Sequence, residues 1–193
     1  YDGLNCVLES IDAALEREIQ VKLNCVPCRE LNALEIETLA ALAQEKDVDV
    51  RFIELMPIGC GKEFHGISSE EILERLERRY GTAKRAPDAK KSETAQYYLF
   101  EGFRGRVGFI SPMSHKFCSA CNRVRLTVEG RLKLCLHYDN GVELKPLLRE
   151  GRSDDEIRDC IVEAVKQKPR AHAFSENQIA EKEDQRKMVQ IGG

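Results

Sequence analysis

Apolar and polar residues alternate with two different periods along the chain, helical in the first half and close to two in much of the second. Over residues 8–18, Leu8, Ile11, Ala14 or Leu15, and Glu18 recur at helical spacing, which predicts a helix with one apolar stripe. Tyr1 to Val7 reads instead as the end of a strand or loop already under way. VKLNCV at 21–26 is short, β-branched at both ends and bounded by Pro27, so a strand is expected there. Asn32 is placed to cap a helix over 34–46, where Ile36, Leu39, Ala40 and Ala43 recur at i, i+3, i+4 and i+7. VRFIELMPIG at 50–59 reads as a buried strand ended by Pro57 and Gly59.

Helix, strand, helix and strand with short connections is the pattern of parallel α/β architecture. Two strands cannot form a parallel sheet covered on both faces, so further units are expected upstream. Ser69, Glu70 and Glu71 start a helix whose Ile72, Leu73, Leu76 and Tyr80 face inward. The stretch 82–96 is charged and almost free of large apolar residues, which predicts a loop or linker. From Tyr97 the period shortens through YYLFEG, RVGFIS, RVRLTV and RLKLCL, the first two forming a hairpin across Gly102 to Gly105. Ser153 to Glu156 is a capping box. The helix it opens turns Ile157, Cys160, Ile161 and Ala164 inward and runs to about Lys168, before Pro169, with Cys160 expected as a buried core thiol. The polar tail 175–187 is expected to lack order by itself.

Composition narrows the classes. The 193 residues suffice for one sizeable domain or two small ones, and 30 basic against 33 acidic residues leave a net charge of −3, with no global field for nucleic acid. Apolar runs fall far short of the ~20 residues of a membrane span and no secretory pattern opens the chain, so a cytoplasmic protein without a membrane partner is expected. In such a compartment the eight cysteines are metal-binding or buried rather than disulfide-bonded.

Three of them carry the candidate chemistry. Cys118, Cys121 and Cys135 are spaced C-x2-C-x13-C, with basic residues threaded between them. Residues 123–128 and 131–136 both alternate, and a three-residue loop Val128-Glu129-Gly130, with Gly130 left-handed, makes the two alternations agree. Arg123, Arg125 and Thr127 then share a face with Arg131, Lys133 and Cys135, and Arg123 lies across from Cys135. Val124 and Leu126 pack with Leu132 and Leu134 on the other side. Three thiolates admit two readings. With His115 or His137 they make a structural Cys3His zinc site. Alone they hold an iron-sulfur cluster with one iron open to a substrate atom. Forked arginines beside the metal favour the second, because they suit an anionic, nitrogen-bearing ligand such as a nucleotide.

Lys22 and Glu54 are charged residues in otherwise apolar strands, so Lys22 either points into a cavity to meet an anion or pairs internally with Glu54. Glu54 and Met56 share one side of their strand, while Arg51 has the opposite parity and ranks lower. Cys25-Val-Pro-Cys28 is a CxxC at a strand exit without a partner pair, and Cys6 and Cys60 are isolated. A non-enzymatic alternative, a zinc-stapled hairpin recognising protein or nucleic acid through its Arg face, lacks aromatic platforms beyond Phe117.

SPMSHKFCSACNRVRLTVEGRLKLCL, the upstream VKLNCV and RFIELMPIG, and the closing MVQIGG together resemble the molybdenum cofactor biosynthesis protein A family, the radical-SAM GTP cyclases, along most of the chain. The resemblance implies a fold of class α/β. Residues 1–81 would be the C-terminal portion of a partial (β/α) barrel and 82–96 a linker. Residues 97–193 would be a region of short antiparallel strands and helices that carries a [4Fe-4S] site, binds GTP and ends in a double-glycine tail. It implies two [4Fe-4S] clusters in the full-length enzyme. The N-terminal one cleaves S-adenosylmethionine to a radical that takes hydrogen from the ribose C3′ of GTP, after which C3′ joins guanine C8. The C-terminal one binds guanine. Carried over, Cys118, Cys121 and Cys135 match the cluster ligands, Lys22, Arg123, Val124 and Arg125 match GTP-binding positions, Met56 matches a contact to S-adenosylmethionine, and Gly192 and Gly193 match a tail that reaches the active site. A homodimer, and cyclic pyranopterin monophosphate synthase as the enzyme acting next, are likewise implied.

The chain departs from that pattern in lacking any CxxxCxxC, so the radical-generating cluster is absent. As given it is expected to be the C-terminal part of the enzyme, inactive without the missing N-terminal half and prone to self-association. Pro27-Cys28-Arg29 replaces a usually flexible stretch, and Cys60 sits just past the Met56 strand.

Overall fold

The computed structural model describes residues 3–87, 94–172, 186 and 190. Gly192 and Gly193, the middle of the 82–96 stretch and nearly all of the tail lie outside the described residues. Two compact units divide the chain: residues 1–55 with 65–115, and residues 56–64 with 116–193.

In the first unit, helix α1 spans Leu4–Leu15, beginning earlier than the periodicity suggests, so that residues 4–7 are its first turn and not a strand end. It stops before Glu18, whose left-handed φ of 57° lets the Ile19 amide close back onto the Ala14 carbonyl at 3.0 Å. Ile11 is its buried stripe, with Leu8 and Leu15 packed against the core. Strand β1 spans Val21–Cys25. A 3-10 turn at Ala33–Glu35 then leads into α2, Ile36–Glu45. Asn32 does not cap this helix with its side chain. Its Oδ1 accepts from the Cys28 amide at 2.7 Å and its Nδ2 donates to the Val26 carbonyl at 3.1 Å, bracing the turn that follows β1.

Strand β2 is Val48–Ile53, so Glu54 and Met56 fall beyond its end. Helix α3, Ser69–Tyr80, starts on the Ser68 hydroxyl, which accepts from the Glu71 amide at 3.2 Å. β3 (Lys84–Arg85), β4 (Gln96–Leu99) and β5 (Arg106–Ile110) complete a five-stranded sheet of order β1-β2-β5-β4-β3. β4 and β5 form the expected antiparallel hairpin. β5, however, pairs parallel with β2, so a parallel neighbour of the upstream strands comes from beyond the 82–96 stretch. The sheet is therefore mixed.

The register sorts residue types by face. Leu23, Val50 and Val107 lie side by side, as do Cys25, Phe52 and Phe109, and these rows join Ile36, Ala40, Ile72 and Leu76 in the core. The intervening rows, Lys22-Asp49-Arg106 and Asn24-Arg51-Gly108, carry the polar positions. This alternation makes one face an apolar floor for helices and the other a charged surface.

The second unit holds a three-stranded antiparallel sheet of β6 (Arg125–Leu126), β7 (Arg131–Lys133) and β8 (Gly141–Glu143). Helix α4, Leu144–Arg149, and β8 are elements that the periodicity does not signal. Helix α5, Asp154–Lys166, has the full capping box: the Ser153 hydroxyl accepts from the Glu156 amide at 3.3 Å, and the Glu156 carboxylate accepts from the Ser153 amide at 2.9 Å. No helix among the described residues is long and apolar enough to cross a membrane.

Candidate functional site

The cysteine hairpin takes the expected register. Arg125 pairs with Lys133 and Leu126 with Leu132, as expected, while Arg123 and Cys135 lie beyond the ends of the paired strands. Gly130 has φ 83°, its amide donates to the Thr127 carbonyl at 3.0 Å, and the Thr127 amide donates to the Arg131 carbonyl at 2.9 Å. These bonds close the three-residue loop 128–130. The far side differs from expectation. Leu132 and Leu134 are buried, but Val124 and Leu126 are exposed, because β6 is the edge strand and only two residues long. Leu134 instead lines a cavity of about 690 Å³ with Tyr138, Val142 and Ala164. Cys160 lines the same cavity and is half-buried, so it is not a buried core thiol.

Cys118 opens a 3-10 turn, Cys118–Ala120, and the Cys121 amide donates back to the Cys118 carbonyl at 3.1 Å. Cys118, Cys121 and Cys135 are all free thiols of intermediate exposure. Among the described residues no group of three or more His, Cys, Asp or Glu is gathered closely enough to hold a metal ion. The donor set nevertheless fits an iron-sulfur cluster in its chemistry: three soft, accessible sulfurs, none committed to a disulfide, two of them on one turn. Arg123 is exposed and Arg125 half-buried. Lys133 is fully buried, with its ammonium donating to the Tyr138 carbonyl at 3.2 Å. Burial, and then the charge of Arg186, lower its pKa to about 8. The two histidines considered as a fourth zinc ligand differ in setting. His115 is exposed, with Nδ1 3.3 Å from Glu70, whereas His137 is buried and packs edge-on against Tyr138.

Lys22, in the first unit, does not pair with Glu54. The Glu54 carboxylate is buried and accepts from the Met113 and Ser114 amides, both at 2.9 Å, from the Ser114 hydroxyl, and from Ser69 Oγ at 3.5 Å. It fastens the turn after β5. Lys22 instead lies beside Asp49, which binds Arg106 through Nε at 2.9 Å and Nη2 at 2.7 Å. Arg51, ranked low on parity, lies on the Lys22 face, with Nε donating to Asn24 Oδ1 at 2.8 Å. Gly108 makes room there, since a Cβ would stand 2.9 Å from the Tyr97 ring and 3.1 Å from Arg51 Cγ.

Cys25 and Cys28 are also free, and burial pushes both thiols up, which removes the lowered pKa that a redox CxxC uses. Met56 is half-buried, in the second unit and outside any strand. Cys6 and Cys60 are exposed and free. The sequence reading missed Lys168, whose ammonium lies 3.4 Å from Cys121 Sγ. Its only sequence signal is a cation just before the helix-stopping Pro169.

The chain is thus of mixed α/β class, with three free thiols on and beside a short antiparallel hairpin in its second unit. The family model described as Molybdenum Cofactor Synthesis C matches residues 48–174, and the chain belongs to that family. It is 44% identical over 191 residues to a protein of Clostridium perfringens (strain 13 / Type A) named GTP 3′,8-cyclase, covering 98% of this chain and 58% of that protein. A GTP 3′,8-cyclase of Desulforamulus reducens is 41% identical over 193 residues, with 98% and 58% covered. Molybdenum cofactor biosynthesis protein 1 of Dictyostelium discoideum is 37% identical over 197 residues, with 98% and 31% covered. The chain thus spans little more than half the length of its bacterial relatives.

Proposed function

We propose that the chain is the substrate-binding part of a GTP 3′,8-cyclase of molybdenum cofactor biosynthesis. The observation that carries this reading is the set of three free, partly exposed sulfurs of Cys118, Cys121 and Cys135 in the same unit as the hairpin strand that carries Arg125. Cys118, Cys121 and Cys135 would hold a [4Fe-4S] cluster, which when bound supplies an open iron as a Lewis-acid anchor for guanine. Arg123 and Arg125 neutralise nucleotide charge and orient the base relative to the ribose. Lys22 takes a phosphate, because it is not spent on Glu54. Met56 contacts S-adenosylmethionine, and Gly192 and Gly193 complete the active site. The radical-generating cluster belongs to the whole protein, together with homodimer formation and hand-over of product to cyclic pyranopterin monophosphate synthase.

The deciding experiment measures iron, zinc and acid-labile sulfide per chain before and after anaerobic reconstitution, followed by calorimetric GTP titration. About four iron and four sulfide, lost on replacing Cys118, Cys121 or Cys135 by Ala, together with weaker GTP binding by Arg123→Ala at unchanged iron content, bear the reading out. One zinc and no sulfide would sink it.

A further inference from the structure

The segment that leaves α5 turns back onto the cysteine loop. The Lys168 amide donates to the Val165 carbonyl at 3.1 Å, so its backbone is fixed on the last turn of a well-capped helix. Its side chain crosses to the turn after the 3-10 helix, where Nζ stands 3.4 Å from Cys121 Sγ and 2.5 Å from the Arg123 carbonyl oxygen. Four residues further on, the His172 carbonyl accepts from Lys116 Nζ at 3.4 Å, ahead of Cys118. One short segment therefore ties the cysteine turn on both sides, through Lys116 before it and through Cys121 and Arg123 after it.

These contacts have two physical consequences. An ammonium holding a backbone carbonyl and a neighbouring sulfur fixes their separation, so Cys121 Sγ and the Arg123 backbone are set relative to each other by one side chain. A positive donor on a ligand sulfur also withdraws negative charge from a thiolate-bound metal, and hydrogen bonds to cluster sulfurs are among the determinants of reduction potential.

We infer that Lys168 is a positioning residue for the cluster loop: it places Cys121 and the Arg123 backbone and raises the potential of the cluster those cysteines bind. The potential half of this rests on the cluster reading above; the loop-placing half does not.

Lys168→Met and Lys168→Arg test it in the chain reconstituted without oxygen, with circular dichroism as the fold control and Lys168→Gln as a smaller change should the Met variant fail to fold. Lys168→Met is expected to reach the same iron and sulfide content, to lose iron to a chelator roughly tenfold faster, and to show a more negative midpoint potential by redox titration with electron paramagnetic resonance. Lys168→Arg, which keeps the charge and the donors, should return the potential towards wild type. In the metal-free chain, amide exchange over residues 118–125 should quicken severalfold in Lys168→Met. Unchanged exchange together with an unchanged potential would overturn the inference. If the wild-type chain takes up no iron and sulfide, it is the cluster reading that fails, and the exchange rates alone then decide whether Lys168 places the loop.

Discussion

Asp49 on β2 is gripped by Arg106 on β5 through both carboxylate oxygens, at 2.9 and 2.7 Å, with the guanidinium carbon 4.1 Å above the Tyr97 ring. Lys22 stands across from Asp49 on the opposite flank and makes no ion pair among the described residues. The planar fork satisfies the buried carboxylate better than a point charge can, which leaves the Lys22 ammonium for an external anion. Arg106→Met should therefore act twice. Leaving Asp49 without its fork should cost about 3 kcal/mol in urea denaturation. Drawing Lys22 towards the released carboxylate should weaken GTP binding roughly tenfold, about 1.4 kcal/mol. Lower stability with unchanged affinity would show that Lys22 does not contact the nucleotide.

Glu54 serves the turn after β5 and not Lys22, so the two residues should behave independently. Glu54→Ala strands the Met113 and Ser114 backbone amides, and is expected to cost about 3 kcal/mol. Lys22→Ala should stay within about 0.5 kcal/mol of wild type, as a residue outside any network does. Additive stabilities in the double variant would bear this out, and a coupling energy above about 1 kcal/mol would contradict it.

The loop that sets the hairpin register depends on Gly130. Its φ of 83° is unfavourable for any side chain, and a Cβ there would lie 2.7 Å from Lys145 Cβ at the start of α4. Gly130→Ala should lower stability by about 1–2 kcal/mol, with chemical-shift changes centred on Thr127 to Arg131 and Leu144. Shifts confined to residue 130 itself would mean that the loop adapts without disturbing the register.

Between α2 and α3, Arg75 binds Glu37 through both Nε and Nη2, at 2.8 to 3.0 Å. Burial pushes the Glu37 carboxyl up, but the hydrogen bonds and charge of Arg75 outweigh it and hold the group below the ordinary glutamate value. A folded-state pKa below the unfolded one contributes stability above about pH 4.3, and that contribution is lost as pH falls through the folded value. The pair is partly exposed, so Arg75→Met should cost about 1 kcal/mol or less at pH 7. Denaturation curves at pH 7 and pH 3 should show the gap between variant and wild type closing in acid. A gap that persists at pH 3 would assign the loss to packing of the Arg75 stem.

Local features were legible in the chain. The hairpin register follows from two matching alternations and one glycine, all within fourteen residues, and the α5 capping box follows from four consecutive residues. Strand alternation does not reach Glu54 and Met56, because β2 ends at Ile53. Arg51, of opposite parity to Glu54, lies within β2, where the register places it beside Asn24 on the Lys22 face. Helix α1 extended further back than its stripe because exposed residues can continue a helix without adding an apolar position.

By itself the sequence determined the longer helices and strands, the turn at Gly130, the set of candidate sulfurs and arginines, and the family likeness, because each depends on residues close together or on the order of residue types; the short β3, β8 and α4 it did not signal. Only the tertiary structure decided which partner each charged group takes. Glu54 finds the amides of Met113 and Ser114, Asp49 finds Arg106, and Lys168 finds Cys121, each pair more than forty residues apart. Such pairings follow from which strands lie side by side and where a helix ends against a loop. Side-chain period carries no record of either, since burial and hydrogen-bond geometry choose among partners only once the backbone has brought them together.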